Sequence, residues 1–223
     1  MKKDDLLHLT KKLPTVPGIL RKNEYFNSAV FIPLIHINDE FYFLFEKRAA
    51  NIRQGGEVCF PGGEFDDGID NSFEETAIRE TVEELGIDKT KIRVEGILDT
   101  LIGPMGVTVD SFIGTLDIQS LAEISFDRNE VEKVFMIPVS FFENNEPEKY
   151  YVTLEMHPTE IDKNGVKVET LPVKELQLPE RYSRPWGGRK NRILVYKTEE
   201  GVIWGITAEL VFEVIKKLKL KDL

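Results

Sequence analysis

An α+β fold is the class that the sequence predicts for this chain of 223 residues. Apolar, β-branched runs typical of strands recur along the chain, and they do not alternate strictly with helical patterns as in a doubly wound sheet. Hydrophobic residues make up 41% and charged residues 30% of the chain, which is typical of globular proteins. We therefore interpret residues 1–223 as a single domain with its own core.

The N-terminal part is predicted to be a helical extension followed by a hairpin. Residues 1–25 form this extension, in which an amphipathic helix is expected over 4–12 because two prolines follow it. Residues 28–36 are apolar and β-branched, and 41–45 supply the partner strand across an Asn-Asp turn. Glycines and charges predict a loop over 47–72.

The rest of the chain is predicted to contain more strands and two helices. One helix is expected at 73–85, and another from about residue 208 with Thr207 as its N-cap. The predicted strands are 91–101, 108–117, 131–139, 192–196 and 202–204. The last two of these would form a hairpin.

Residues 140–183 are interpreted as an insertion within the domain. The segments 150–156 and 165–169 have strand-like composition, and an Asn-Gly pair marks a turn at the start of the second. We therefore expect these two segments to form a hairpin.

The helix predicted at 73–85 has an unusual charge pattern. Ser72 can cap its start with Glu75 three residues on, and Gly86 suits its end. At about 100° per residue, the apolar side chains fall on one arc. The opposite arc carries Arg79, Glu80, Glu83 and Glu84. Like charges four residues apart destabilise a helix, so this arc indicates either a solvated acidic face or a cation site.

A Pro-Gly-Gly turn precedes this helix and favours the cation site. The backbone carbonyls of Gly62 and Gly63 are accessible in such a turn, and oxygen ligands from a turn and a helix suit Mg²⁺.

Residues 79–87, RETVEELGI, also resemble the second half of the Nudix box of the Nudix hydrolases. Thr81 stands where the family pattern has a bulky aliphatic residue.

The resemblance implies a Nudix fold, an α/β/α sandwich with a mixed β-sheet. It also implies that Mg²⁺ or Mn²⁺ is held by Glu80, Glu83, Glu84 and a carbonyl of Gly62 or Gly63. The loop before Arg79 is two residues longer than in the family pattern, so the acidic residue that orients Arg79 has no residue in register. Asp70 is the nearest substitute, with Glu74 or Glu75 as alternatives.

Residues 46–63, EKRAANIRQGGEVCFPGG, resemble a second signature, found in the Nudix subgroup that hydrolyses coenzyme A and its thioesters. This resemblance implies cleavage of the pyrophosphate bond to give 3′,5′-ADP and 4′-phosphopantetheine. Arg48 and Arg53 would bind phosphate oxygens through their planar guanidinium groups. The alternative is that both lie on the surface, or that Arg48 pairs with Glu46 or Glu57.

The implied reaction is metal-assisted attack of water on phosphorus, in which a carboxylate takes the proton. Glu130 is preferred over Glu83 as this base, and Arg79 completes the catalytic set. Two alternatives stay open. One is a pyrophosphatase that acts on another nucleoside diphosphate derivative, such as ADP-ribose or a dinucleotide. The other is a Nudix module that binds nucleotides without hydrolysis.

The net charge and a search for targeting signals restrict the classes of partner and the cellular location expected for this protein. The net charge is −10, the opposite of what a nucleic-acid binder usually shows. No signal peptide and no apolar stretch of about 20 residues is visible, so we expect a cytoplasmic protein without a membrane partner.

A basic cluster around Pro185 would be a substrate rim, a homodimer surface or a solvated loop. Its members are Arg181, Arg184, Arg189, Lys190 and Arg192.

Overall fold

The computed structural model describes residues 2–104 and 106–220. Its helices are α1 (Lys3–Thr10), α2 (Phe73–Leu85), α3 (Val139–Asn144) and α4 (Gly205–Lys219). Its strands are β1 (Phe26–Ile37), β2 (Glu40–Arg48), β3 (Val58–Cys59), β4 (Gly62–Glu64), β5 (Ile92–Ile97), β6 (Leu101–Gly103), β7 (Val107–Leu116), β8 (Val131–Pro138), β9 (Glu148–Met156), β10 (Thr159–Ile161), β11 (Lys167–Glu169), β12 (Trp186–Lys197) and β13 (Val202–Trp204).

The main sheet has eight strands and is mixed. Its central path runs in the order β3-β2-β1-β7-β5, with β4 added to β1, β6 to β7 and β8 to β2. Strands β1 and β7 are parallel, with Phe26 opposite Val107, whereas β1 pairs with β2 and β4 in antiparallel fashion. Because β4 pairs with Ser28–Val30 and β2 with Leu34–Ile37, both strands share one long neighbour.

Helices cover both faces of this sheet. Successive side chains of β1 point to opposite faces, as the period of two requires. Ala29 and Phe31 pack in one buried cluster with Ala77 of α2, whereas Ile32 packs in a second cluster with Val211 of α4. The predicted α/β/α sandwich with a mixed sheet is therefore confirmed.

A second sheet of three strands, in the order β13-β12-β9, lies beside α4. The predicted hairpin between β12 and β13 is confirmed, with Val195 opposite Trp204. Strand β9 pairs along most of its length with β12, from Met156 opposite Trp186 to Glu148 opposite Val195.

The hairpin predicted between 150–156 and 165–169 is wrong. The second segment contains β11, which pairs with β10, while the first lies in β9 and pairs with β12. The Asn-Gly turn at residues 164–165 closes the nearer pair, because a short turn joins neighbouring strands. The long pairing of β9 has no local turn that could indicate it. The interpretation of 140–183 as an insertion stays a prediction.

Other boundaries also differ. The loop predicted over 47–72 contains β3 and β4, and the strand predicted at 91–101 is divided between β5 and β6. Helix α4 begins at Gly205, so Thr207 lies inside it, and its Oγ1 donates a hydrogen bond to the Val58 carbonyl at 3.2 Å. Thr207 therefore ties the helix to β3 and does not cap it.

The N-terminal helix is shorter than predicted and lies on the surface of the protein. It spans Lys3–Thr10 in place of the expected 4–12, and none of its residues is buried. Among the helices of residues 2–104 and 106–220, none is both long and apolar enough to cross a membrane.

Candidate active site

Helix α2 begins and ends as its sequence predicts. The Ser72 Oγ accepts a hydrogen bond from the Glu75 amide at 3.2 Å, and Gly86 ends the helix in a left-handed conformation with φ of 60°. The second half of the expected capping box differs, because the Glu75 carboxylate accepts from the Asn71 amide at 2.9 Å. Between these ends the helix packs against β1 and β4.

Glu84 is buried at the contact between α2 and β4. Its side chain is 4% exposed, and its Oε2 accepts a hydrogen bond from the Gly62 amide at 2.9 Å. Burial, together with the negative charges of Glu46 and Glu80, raises the pKa of Glu84 to about 9. Of the two interpretations of this arc, a solvated acidic face does not apply to Glu84, because α2 packs against β4 and the side chain is buried.

Glu80 lies against the backbone of Gly63. A β-carbon built at Gly63 would stand 2.7 Å from the Glu80 Oε2, closer than non-bonded atoms approach. A glycine is therefore required if this carboxylate is to keep its place. Burial raises the pKa of Glu80 above its ordinary value. The structure thus places two of the predicted carboxylates, Glu80 and Glu84, beside the predicted Gly-Gly turn.

Arg79 is held by a buried carboxylate. Its Nε and Nη2 donate to the two oxygens of Asp70, each at 2.9 Å. Asp70 also accepts from the Thr76 Oγ1 at 2.9 Å and from the Asp66 amide at 3.2 Å. The Arg79 guanidinium lowers the pKa of Asp70 to about 2. Of the three acidic residues considered for contact with Arg79, the structure places Asp70 there.

The same guanidinium contacts two box glutamates. Arg79 Nη1 donates to Glu80 Oε1 at 2.7 Å and to Glu83 Oε2 at 3.1 Å. The Glu83 side chain is 57% exposed, so it lies on the outer side of the helix. In the described part of the chain, no three His, Cys, Asp or Glu side chains are grouped so that they could hold a metal ion. Arg79 thus lies between Glu80 and Glu83. The role of Glu80, Glu83 and Glu84 as metal ligands stays a prediction.

Arg48 ends β2, and Arg53 follows in the loop after it. Arg48 Nη1 lies 3.8 Å from Glu84 Oε1, and Arg48 Nε donates to the Arg53 carbonyl at 3.2 Å. The carboxylate that Arg48 contacts is thus Glu84 and not Glu46 or Glu57. Arg53 is exposed, and its guanidinium stands 5.0 Å from the centre of the Phe26 ring.

Glu130 lies at the start of β8, on the same side. Its carbonyl accepts a hydrogen bond from the Ala49 amide at 2.8 Å, and its side chain is exposed. Its negative charge contributes to the raised pKa values of Glu46 and Glu80. The exposed position leaves this carboxylate in contact with water, as a base that takes a proton from water requires.

The only role predicted for Glu46 from the sequence was that of an alternative ion-pair partner of Arg48. The residue is fully buried in β2, and its Oε1 accepts a hydrogen bond from the Cys59 Sγ at 3.3 Å. Burial raises the pKa of the Cys59 thiol well above its ordinary value, which keeps that thiol unreactive. The signal for Glu46 was its place at the end of the apolar run Phe41–Phe45, where β-strand alternation with Leu44 turns it inward.

The predicted basic cluster lies mostly on the second sheet. Arg189, Lys190 and Arg192 belong to β12, and Arg192 Nε donates to Glu209 Oε1 of α4 at 3.1 Å. The role of the cluster as a rim or homodimer surface stays a prediction.

Replacing Asp70 by Asn is expected to lower the free energy of unfolding by about 2 kcal/mol, because the partly buried Arg79 loses a charged partner. The pKa of Asp70 in the folded protein, about 2, lies below its ordinary value of 3.8. The ionised carboxylate therefore stabilises the fold above that ordinary value, and its contribution is lost as the pH falls through about 2. Urea denaturation at about pH 6 and about pH 2 should show the difference between wild type and Asp70→Asn shrinking at the lower pH.

The exposed Asp117 provides the matched control. Asp117→Asn should change neither the stability nor its pH dependence. A stability loss in Asp70→Asn that is equal at both pH values would contradict the ionic contribution.

The fold and the α2 motif define the class of protein. A family model described as the NUDIX domain matches residues 26–186, which is more than half of the 223 residues. The chain therefore belongs to the Nudix family.

Several proteins are similar to this chain. Nudix hydrolase 3 of Caenorhabditis elegans is 34% identical over 146 residues, which cover 61% of this chain and 60% of that protein. The peroxisomal coenzyme A diphosphatase NUDT7 of Mus musculus is 33% identical, over 55% of this chain and 50% of that protein. The chain thus spans only about half to three fifths of the length of these two relatives.

Other relatives match over more of the chain. A Nudix hydrolase named NudL from Yersinia enterocolitica is 26% identical over 205 residues, 92% of this chain and 87% of that protein. Among solved structures, a Nudix hydrolase from M. smegmatis, RenU, aligns with a TM-score of 0.44 and 19% identity over 52% of this chain and 72% of that chain.

Proposed function

We propose that this chain hydrolyses the pyrophosphate bond of coenzyme A or a derivative, with Mg²⁺ or Mn²⁺, to give 3′,5′-ADP and 4′-phosphopantetheine. The observation that carries the proposal is the meeting of Glu80 and Glu84 with the Gly62–Gly63 backbone, beside Arg48 at the end of β2. Two relatives, 33% and 35% identical over about half of this chain, are named coenzyme A diphosphatases, which supports the substrate.

The donor atoms at this place fit a hard divalent cation. Glu80 and Glu84 offer carboxylate oxygens at the backbone of β4, and oxygen is the ligand that Mg²⁺ and Mn²⁺ prefer. Within residues 2–104 and 106–220, the cations that contact these two carboxylates are Arg48 and Arg79. Arg79 is shared between Asp70 and Glu80, and Arg48 stands 3.8 Å from Glu84, so neither carboxylate has a cation to itself at close range. Glu80 and Glu84 would hold the cation, with Glu83 brought in only if it left Arg79.

The chain's own residues would act on the substrate as follows. Arg48, beside Glu84, and Arg53, in the loop that follows, would bind and orient phosphate oxygens through their guanidinium groups. A water oxygen forms a bond to phosphorus, the bridging phosphorus–oxygen bond breaks, and Glu130 takes the proton released by the water. A bound divalent cation supplies neutralisation of the pyrophosphate charge and lowers the pKa of water.

The test is product analysis by mass spectrometry. The protein is incubated separately with coenzyme A, ADP-ribose and a diadenosine polyphosphate, with Mg²⁺ or Mn²⁺ and with EDTA as control. Metal-dependent release of 4′-phosphopantetheine and 3′,5′-ADP supports the proposal. Cleavage of ADP-ribose alone keeps the reaction type and rejects the substrate. Absence of cleavage in all three reactions favours a module that binds nucleotides without hydrolysis.

Arg53→Ala is expected to raise KM for coenzyme A about tenfold and to change kcat little, since it removes a contact made equally in the ground and transition states. Arg53 is exposed and stands near the Phe26 ring, so its guanidinium group is free to contact a bound phosphate. Steady-state kinetics with coenzyme A and 3′-dephospho-coenzyme A would measure the effect. Arg93→Ala removes another exposed arginine, on β5, and should leave KM unchanged. An unchanged KM in Arg53→Ala would place Arg53 outside the substrate site.

A further inference from the structure

Strand β9 forms an open edge of the second sheet. The strand order β13-β12-β9 places it outermost, and among the described residues its strand partner is β12. Every residue of β9 except Leu154 is exposed. Within residues 2–104 and 106–220, no loop backbone donates a hydrogen bond to this strand or accepts one from it. The outer side of β9 therefore presents backbone N–H and C=O groups that lack a neighbouring strand.

The sequence of β9 lacks most features that protect an edge strand. Protected edges are short, contain proline, or have a bulge that turns the edge away. Strand β9 has nine residues, EKYYVTLEM, with no proline or glycine among them. The irregularity in its pairing lies in β12, between Gly187 and Arg189. A long, regular edge of this kind is a template on which a further strand can add.

Large side chains of β9 are exposed on both faces of the sheet. Tyr150 and Val152 share one face and Tyr151 lies on the other, because side chains alternate along a strand. Their exposed fractions are 52%, 47% and 59%. A molecule that packed on one face would cover only part of this set. A strand added at the edge has neighbours on both faces, so it contacts all three side chains.

The sequence of β9 is complementary to itself. Two antiparallel copies related by a two-fold axis overlap over all nine residues only if the axis passes at Val152, the middle residue of the strand. In that register Lys149 stands opposite Glu155 of the second copy, and the symmetry repeats this pair of opposite charges. Moving the axis by one residue places Lys149 opposite Thr153 or His157 instead, and both ion pairs are lost.

We propose that the outer edge of β9 pairs with β9 of a second copy of this chain in an antiparallel homodimer. The two three-stranded sheets then join into one continuous sheet, with Val152 at the two-fold axis. The basic residues of β12 lie one strand away from this contact and do not form its centre. This inference is independent of the proposed function, because no residue of β9 belongs to the candidate active site.

The mass of the full chain in solution tests this inference. Sedimentation equilibrium over a range of protein concentrations should give a dimer, with twice the 25.6 kDa of the single chain. Lys149→Glu and Glu155→Lys each place like charges opposite each other at both symmetric positions. We expect either substitution to raise the dimer Kd at least about tenfold, since the attraction at both positions becomes repulsion. Both residues are exposed, so the Tm of the monomer should stay the same.

Mixing the two variants separates strand pairing from a general effect of charge. In a mixed dimer every glutamate at these positions faces a lysine, so an equimolar mixture should form heterodimers although each variant alone is monomeric. Lys89→Glu reverses the charge of an exposed lysine between α2 and β5 and should dimerise as the wild type does. A wild type that is monomeric at every concentration, or a mixture that stays monomeric, would overturn the inference. Variants that both dimerise like the wild type would also overturn it.

A cysteine at the axis locates the contact directly. Directly opposite residues of antiparallel strands have Cα atoms about 4.5–5.5 Å apart, which is within the range of a disulfide. Val152→Cys should therefore form a disulfide-linked dimer under mild oxidation, seen on a non-reducing gel. Val202→Cys, with an exposed valine on β13 at the other edge of the same sheet, is the control and should not cross-link. Cross-linking of Val202→Cys in place of Val152→Cys would mean that β9 is not the contact.

Discussion

Glu84→Gln is expected to lower kcat/KM for coenzyme A hydrolysis at least about 10²-fold, because the variant loses a buried ligand for the metal. The protein should stay folded, since glutamine keeps the size of the side chain and its oxygen can still accept from the Gly62 amide. Burial and the neighbouring Glu46 and Glu80 already disfavour a charged group at this position, so a neutral amide there should not lower Tm. Steady-state kinetics and thermal unfolding of the same preparation would measure both effects.

Glu74→Gln is the matched control for this prediction. It makes the same chemical change in the first turn of the same helix and should leave kcat/KM unchanged. Near-normal turnover in a folded Glu84→Gln protein would remove Glu84 from the reaction. It would also remove the main reason for placing the cation between α2 and β4.

Gly63→Ala is expected to lower kcat/KM about 10²-fold with little change in Tm, since a catalytic group displaced by about 1 Å loses that much rate. The added methyl would overlap with the Glu80 carboxyl group, which is the movable end of a flexible side chain. Glu80 therefore moves and the backbone does not. Kinetics and Mn²⁺ titration should show reduced activity and weakened binding in a protein that unfolds as the wild type does.

Gly96→Ala is the control for the added methyl group. A β-carbon there would meet Ile113 Cγ2 at 3.6 Å, which is ordinary contact, so activity and stability should be unchanged. Full activity in Gly63→Ala would mean that the position of Glu80 against β4 does not matter for the reaction.

The helix of the candidate site was predictable because its signals are local. A capping serine, a terminal glycine and the period of 3.6 residues lie within 72–86, and the structure has the helix at Phe73–Leu85. The contact of Arg79 with Asp70 could also be predicted, because the two residues are close in the chain. Neighbouring residues constrain each other before the rest of the chain folds.

The pairing of β9 with β12 and the burial of Glu46 were not predictable in the same way. Strand β9 has mostly exposed residues, so its sequence carries no apolar face that would identify a partner. Glu46 is buried where β2 pairs with β3 on one side and with β8 on the other, opposite Cys59 and Val134. Such contacts join residues that are far apart in the chain, so a local sequence pattern does not predict them.

The amino-acid sequence by itself determined the family, the α+β class and the helix that carries Arg79, Glu80, Glu83 and Glu84, because short-range periodicity and motif spacing are properties of neighbouring residues. Only the tertiary structure decided which of these side chains turn inward. It buried Glu84 beneath β4, left Glu83 exposed on Arg79 and enclosed Glu46 opposite the helix. The physical reason is that burial and charge compensation depend on which distant strands cover a residue, and that is settled only when the sheet and the helix pack.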